Sequence, residues 1–228
     1  LDHAKLSLVV GANPAESHPV IGARIKQVVR RGVPLIVADP RRTELARLAT
    51  IHLQLHPGTN VALLNGLGHV IAKERLLDKA FIEARTEGLN DWLETVAACT
   101  PEITEQITGV PASMIRETAR RYATSGASFC VHGLGVTEHR WGSHGVIALC
   151  NLALATGNLG RPGTGINPLR GQNNVQGASD VGAIPTYFAG YQPFDDPKLA
   201  AKHLAVTGRP LPAKRGMKTP DMWDAALE

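Results

Sequence analysis

The sequence predicts an α/β protein built on a doubly wound, mostly parallel sheet with a helical insertion. Two observations carry that expectation, and a third points to a second domain. Short apolar runs rich in β-branched residues, at 6–10, 34–38 and 51–55, alternate with stretches of helical period, which is the βαβαβ pattern of a parallel sheet. Each run stops in a turn rich in Gly, Asn, Asp and Arg, as strands feeding a ligand site do. Residues 167–185, NPLRGQNNVQGASDVGAIP, show neither a helical nor an alternating apolar period, so they read as neither packed helix nor half-buried strand. They open an irregular segment belonging to a second domain.

Taken in order, LSLVV at 6–10 is a buried strand that ends in Gly11-Ala12-Asn13-Pro14-Ala15-Glu16. A helix fits 20–31 and Gly32 closes it. PLIVA at 34–38 is the second strand, followed at once by Asp39-Pro40-Arg41-Arg42 and a short helix over 43–48 with Thr43 as its cap. The third strand, 51–55, runs into His56-Pro57-Gly58-Thr59-Asn60 and a helix over 61–73. Residues 78–122 read as an inserted helical cap, with Pro101 and Pro111 each placed to start a helix at its first position. SFCV at 128–131 resumes the sheet and ends in the glycine-rich turn 132–139. An apolar helix over 145–156 stops at Gly157-Asn158. Beyond Pro185 the chain reads as irregular, with Tyr187, Tyr191 and Phe194 among Gly and Pro, and a last amphipathic piece at 220–228. The two domains are expected at 1–171 and 172–228, the second too short for a core of its own.

Composition excludes several classes. The 228 residues are 43% hydrophobic and 19% charged, with a net charge of +4 and no basic block, so neither nucleic acid nor an anionic membrane is indicated. Aromatics at 4% are too few for base-stacking platforms. Cys99, Cys130 and Cys150 are widely spaced and odd in number, which fits a reducing, cytoplasmic setting. The opening LDHAKLSLVV shows no signal-peptide pattern, and the chain reads as a segment of something longer.

Few residues carry chemistry. His52 and His56 straddle a strand end, and His139 and His144 flank Trp141 with no third ligand at zinc spacing, so no metal site is expected. No nucleophile elbow, P-loop or dinucleotide glycine fingerprint occurs. Asp39, directly after the second strand, reads either as a turn cap or as an acceptor for a ribose or a guanine edge. Arg170 stands among Asn167, Gln172, Asn173, Asn174 and Gln176, with no obvious partner in sequence, and a guanidinium so placed suits a carboxylate or phosphate in a forked grip.

Together, VGANPAESHP at 10–19, DPR at 39–41, GLGVTEH at 133–139, the run 151–180 containing RGQNNVQG, and GYQP at 190–193 resemble the catalytic subunit of Mo- or W-dependent formate dehydrogenases, within the molybdopterin oxidoreductase family. The resemblance covers about 6–197. It implies a Rossmann-like fold and a Mo- or W-bis(molybdopterin guanine dinucleotide) cofactor. It implies that one guanine dinucleotide contacts Gly11, Asn13, Glu16, Asp39, Arg41, Gly58 and Asn60. Gly133, Leu134, Glu138, Gly171, Gln172 and Asn173 are implied to lie nearer the pterins. This chain has Glu138 where some members have an amide. Arg170 maps onto the arginine that binds formate. A 4Fe-4S cluster, the metal-ligating Cys or selenocysteine and electron-transfer subunits are implied to belong to the parent enzyme outside these residues, which leaves this stretch inactive alone. A nitrate reductase-like relative or a scaffold subunit that has lost its metal are the competing readings, separable by exchanging formate for nitrate and by metal analysis.

Overall fold

Every residue of β1 (Leu6–Val10) is buried in the computed structural model of the chain, which describes residues 1–193, 196–212 and 214–227. An LSLVV run covered on both faces belongs in the middle of a parallel sheet, and that is where it lies. It is followed by α1 (Pro14–Ser17), α2 (Pro19–Arg30), β2 (Leu35–Ala38), α3 (Glu44–Leu48), β3 (Ile51–Leu53) and α4 (Asn60–Lys73). The inserted helices are α5 (Lys79–Arg85), α6 (Leu89–Ala97), α7 (Pro101–Thr108) and α8 (Ala112–Thr124). After them come β4 (Ser128–His132), α9 (Leu134–Thr137), α10 (Gly142–Ala155) and β5 (Gly165–Pro168). These elements form the first of two units, Leu1–Leu169; the second is Arg170–Glu228.

The strands are parallel in the order β3-β2-β1-β4-β5. The chain winds outward one way from β1 through β2 to β3, then returns to the other side for β4 and β5, so the winding direction switches between β1 and β4. Strand alternation divides the core in two. Leu6, Leu8 and Val10 pack with Ile36 and Leu53 against Leu63 and Leu67 of α4, Ile115 of α8 and Leu149 of α10. Val9, Leu35, Val37 and Val131 pack on the opposite face against Ile25 of α2 and Leu45 of α3. Helices thus cover both faces, and the fold is the doubly wound one expected. Buried Asn158 ties the start of β4 to the end of α10: Oδ1 accepts from Ser128 N at 2.9 Å, and Nδ2 donates to Thr156 Oγ1 at 2.9 Å.

Local signals worked where side chains cap or break. Thr43 caps α3 by accepting from Ala46 N at 3.2 Å, and Asp78 and Thr100 cap α5 and α7 in the same way. Pro101 opens α7 as expected, but Pro111 is the cap residue before α8 rather than its first helical residue. β3 stops at Leu53; Leu55, expected in the strand, lies beyond it yet remains buried. Short α1 was not expected, and of the turn expected at 132–139 His132 belongs to β4 while Leu134–Thr137 forms α9, closed by Glu138 N donating to Leu134 O at 2.8 Å. Both are single turns, too short for an apolar period to register.

The second unit holds more order than expected. Within 167–185, Val175–Asp180 forms α11 in the second unit, while Asn167 and Pro168 belong to β5 of the first. β6 (Tyr187–Phe188) pairs antiparallel with β7 (Gln192–Pro193). α12 (Pro197–Thr207) and α13 (Thr219–Ala225) follow. α12 corrects the expectation of irregular chain, and its signals were present: Asp196 accepts from Lys198 N at 2.8 Å, Pro197 starts the helix and Gly208 at φ 69° ends it. The expectations at Phe194 and Glu228 fall outside the described residues.

Candidate functional site at the strand ends

Because the five strands run the same way, their carboxyl ends make one edge. Ala38, Val10, His132 and Pro168 stand side by side there, with Leu53 beside Ala38. The turns leaving this row carry Gly11 and Asn13, then Asp39 and Arg41, then Gly58 and Asn60, then Gly133, Leu134 and Glu138; Glu16 is exposed on α1. The sheet therefore brings the predicted residues of the first unit to a single edge.

Backbone bonds lock three of these turns together. Gly11 N donates to Ala38 O at 2.9 Å, Gly135 N to Gly11 O at 2.9 Å, and Gly133 N to Val10 O at 3.3 Å. Asn60 Nδ2 donates to Gly135 O at 3.1 Å, so part of its carboxamide holds the scaffold. A Cβ on Gly11 would come within 2.6 Å of Gly135 C, and one on Gly135 within 2.7 Å of Gly11 O. The bare Cα of Gly11 thus serves the close approach of two turns. Gly58 differs: at φ 84°, the space where a Cβ would sit is open.

The β2 turn presents charge. Asp39 is buried, and its Oδ1 accepts from Arg41 N at 2.8 Å, while Arg41 Nε lies 3.5 Å from the same oxygen and the rest of its side chain is exposed. Asp39 shapes its own turn; α3 takes its cap from Thr43. His52 Nε2 lies 2.9 Å from Asp39 O, and Gln54 Nε2 donates to Pro40 O at 2.9 Å. The pair considered for metal is therefore used otherwise, with His56 Nδ1 3.3 Å from Ile107 O. Sequence reasoning missed His52 and Gln54 as buttresses of the Asp39 turn; their shared face at the end of β3 was the available signal.

Asn13 carries the most informative atom. It precedes α1, yet its side chain makes no capping bond; its main-chain carbonyl instead accepts from Glu16 N, Ser17 N and Ser17 Oγ, each at 3.1 Å. Its Oδ1 is buried with no hydrogen-bond partner among the described residues. Leaving such an acceptor unmatched costs about 1–3 kcal/mol, so it marks a place for a donor from outside the chain. A guanine nucleotide offers ring N–H donors and phosphates. The acceptors of Asn13 and Asp39 match the first, the guanidinium of Arg41 matches the second, and the donor set fits such a group.

In the second unit, Arg170, Gly171, Gln172 and Asn173 are exposed on the segment before α11. Arg170 Nη2 donates to Gln176 Oε1 at 3.4 Å, which corrects the expectation of a cation with no obvious partner. α11 turns Gln176 back toward the arginine, a contact no short-range spacing rule supplies.

Among the described residues no three His, Cys, Asp or Glu side chains gather to hold a metal ion, and no helix is long and apolar enough to cross a membrane. Trp141 meets His144 edge-on at 5.3 Å and Arg140 over its ring at 5.3 Å. Cys130 is fully buried and its thiol is pushed far above the usual range by burial; burial also raises Cys99 and Cys150. A cleft of about 360 Å³ lies in the first unit between α4, α5, α6 and α10, lined by Asn65, Trp92, Ile147 and Asn151 among others, and none of the predicted residues lines it.

A family profile described as molybdopterin oxidoreductase matches residues 1–221. Formate dehydrogenase H of Escherichia coli is 46% identical over 223 residues, covering 97% of this chain and 31% of that protein. The F420-dependent formate dehydrogenase subunit alpha of Methanocaldococcus jannaschii is 44% identical over 225 residues, covering 98% of this chain and 33% of that protein. Among solved structures, acetylene hydratase from Pelobacter acetylenicus superposes with a TM-score of 0.66 at 32% identity, over 70% of this chain and 22% of that one. The chain spans about a third of the length of the two formate dehydrogenases it matches.

Proposed function

The chain belongs to the molybdopterin oxidoreductase family, and we propose that it is the central part of a formate dehydrogenase catalytic subunit, oxidising formate to carbon dioxide at a Mo or W centre. The observation that carries the proposal is the buried, unmatched Oδ1 of Asn13 on the same sheet edge as Asp39 and Arg41. A bis(molybdopterin guanine dinucleotide) cofactor supplies the two-electron acceptor for formate. A 4Fe-4S cluster and electron-transfer subunits would belong to the parent enzyme and would supply the onward path for electrons.

The residues of this chain bind and orient. Asp39 and Asn13 accept from the N–H groups of one guanine, and Arg41 pairs with its phosphates. Open Gly58 lets the dinucleotide lie close to the backbone. Glu16 borders the same nucleotide. In the first unit Leu134 and Glu138, with the backbone of Gly133, bind toward a pterin; in the second unit Gly171, Gln172 and Asn173 do the same. Arg170 grips the formate carboxylate with a forked pair of N–H donors and orients the C–H bond for oxidation, releasing carbon dioxide, one proton and two electrons.

In the parent enzyme, Arg170→Ala is expected to raise the formate KM at least about tenfold, since a charge-assisted pair is lost, while Arg170→Lys recovers part of it. Steady-state assays with formate, and with nitrate in its place, check this; an unchanged formate KM in Arg170→Ala would refute the assignment. The 228-residue chain alone is expected to give no formate-dependent dye reduction.

A further inference from the structure

We infer that Gln176 and Tyr191 form a relay that fixes the direction in which Arg170 presents its guanidinium. The inference rests on the reading of Arg170 as the formate-binding residue. Gln176 faces three groups: Arg170 Nη2 lies 3.4 Å from its Oε1, while Tyr191 Oη and Asp180 Oδ1 lie 3.1 and 3.5 Å from its Nε2. A guanidinium only donates and an ionised carboxylate only accepts, so the carboxamide has one chemically consistent orientation. Its oxygen is committed to Arg170 and its nitrogen to Tyr191 and Asp180.

Backbone conformation supports the same frame. Tyr191 has φ 56° and Asn174, just before α11, has φ 50°, both in the left-handed region that bulky side chains avoid. Tyr191 follows Gly190 at φ 71°, and its ring meets Tyr187 at 6.2 Å. The tyrosine lies in GYQP and the glutamine in RGQNNVQG, so two separate stretches converge on one cation. Gln176 and Tyr191 are positioning residues: they act on substrate only through Arg170.

The relay predicts changes in KM that a staple merely holding α11 would not produce. In the parent holoenzyme, Gln176→Met is expected to raise the formate KM about three- to tenfold with kcat nearly unchanged, as loss of one hydrogen bond to a charged group would. Tyr191→Phe gives a smaller shift in the same direction. Gln176→Glu gives the largest KM, because the introduced carboxylate competes with formate for the guanidinium, and the excess shrinks as pH falls and that carboxylate takes up a proton. A readout independent of turnover is phenylglyoxal modification of Arg170, followed by mass spectrometry in the absence of an electron acceptor. The Gln176 variants should need more formate to protect the arginine. Wild-type KM and protection in both Gln176 variants, with Arg170→Ala impaired, would overturn the relay alone. Activity falling only in proportion to lost metal, with KM unchanged, would also overturn it. An unimpaired Arg170→Ala would overturn the reading of Arg170 itself, and the relay with it.

Discussion

Asn13 shows how a single residue carries information that composition does not. Asn13 occupies the cap position before α1, yet the carbonyl receives the helix while the buried side-chain oxygen is left for an outside donor. Arg170 was legible in the sequence as a cation among amides, because charge contrast is local; its contact with Gln176 was not, because it depends on how α11 folds back. At the surface, Arg120 holds Glu74 through two bonds of 2.7 and 2.8 Å, which lowers its carboxyl below the ordinary 4.5. A lowered folded value means that this contribution is complete above about 4.5 and is lost as pH falls through the lowered one. Glu74→Gln is therefore expected to reduce Tm by about 1–3 °C at pH 7, with the difference vanishing in acid. Paired melts across pH check it, and a gap that persists in acid would mean the side chain matters through packing.

Among the elements, β-branched runs bounded by Gly and Pro announced β1, β2 and β4, since a strand buried on both faces needs apolar residues at every position. β5 was hidden because GINP is short and half-exposed, and α1 and α9 because one turn has no period to detect. Some of the amides around Arg170 build structure: Asn167 Nδ2 donates to Cys130 O at 3.0 Å, joining β5 to β4. The crossing of the β1 and β4 turns was equally invisible, since glycine in a turn does not say which backbone it must clear. Gly135→Ala tests that contact. Its Cβ would meet Gly11 O at 2.7 Å and Gly11 Cα at 2.8 Å, main-chain atoms with no rotamer to yield. The expected loss is about 1–3 kcal/mol in chemical denaturation. Wild-type stability would show that the two turns part freely.

At the scale of the whole molecule, the sheet order converts scattered polar residues into one edge. Between β1 and β4 the winding reverses, and an open α/β sheet binds ligands outside the carboxyl ends of its strands at such a point. A doubly wound sheet with polar turns at its strand ends followed from the alternation of strand and helix; the strand order that puts the reversal between β1 and β4 did not. What the alternation does not contain is which turn residues face outward and which are consumed by their neighbours, as Asn60 is in part. The central claim is that this edge reads guanine. The measurement that tests it most directly is calorimetric titration of the chain with GDP, with ADP and NAD as controls, repeated in Asp39→Asn. That substitution keeps an acceptor for Arg41 N and removes the charge. Saturable binding that prefers GDP and weakens at least about tenfold in Asp39→Asn is the predicted result. Equal or tighter binding of NAD, unaffected by Asp39→Asn, would contradict the account.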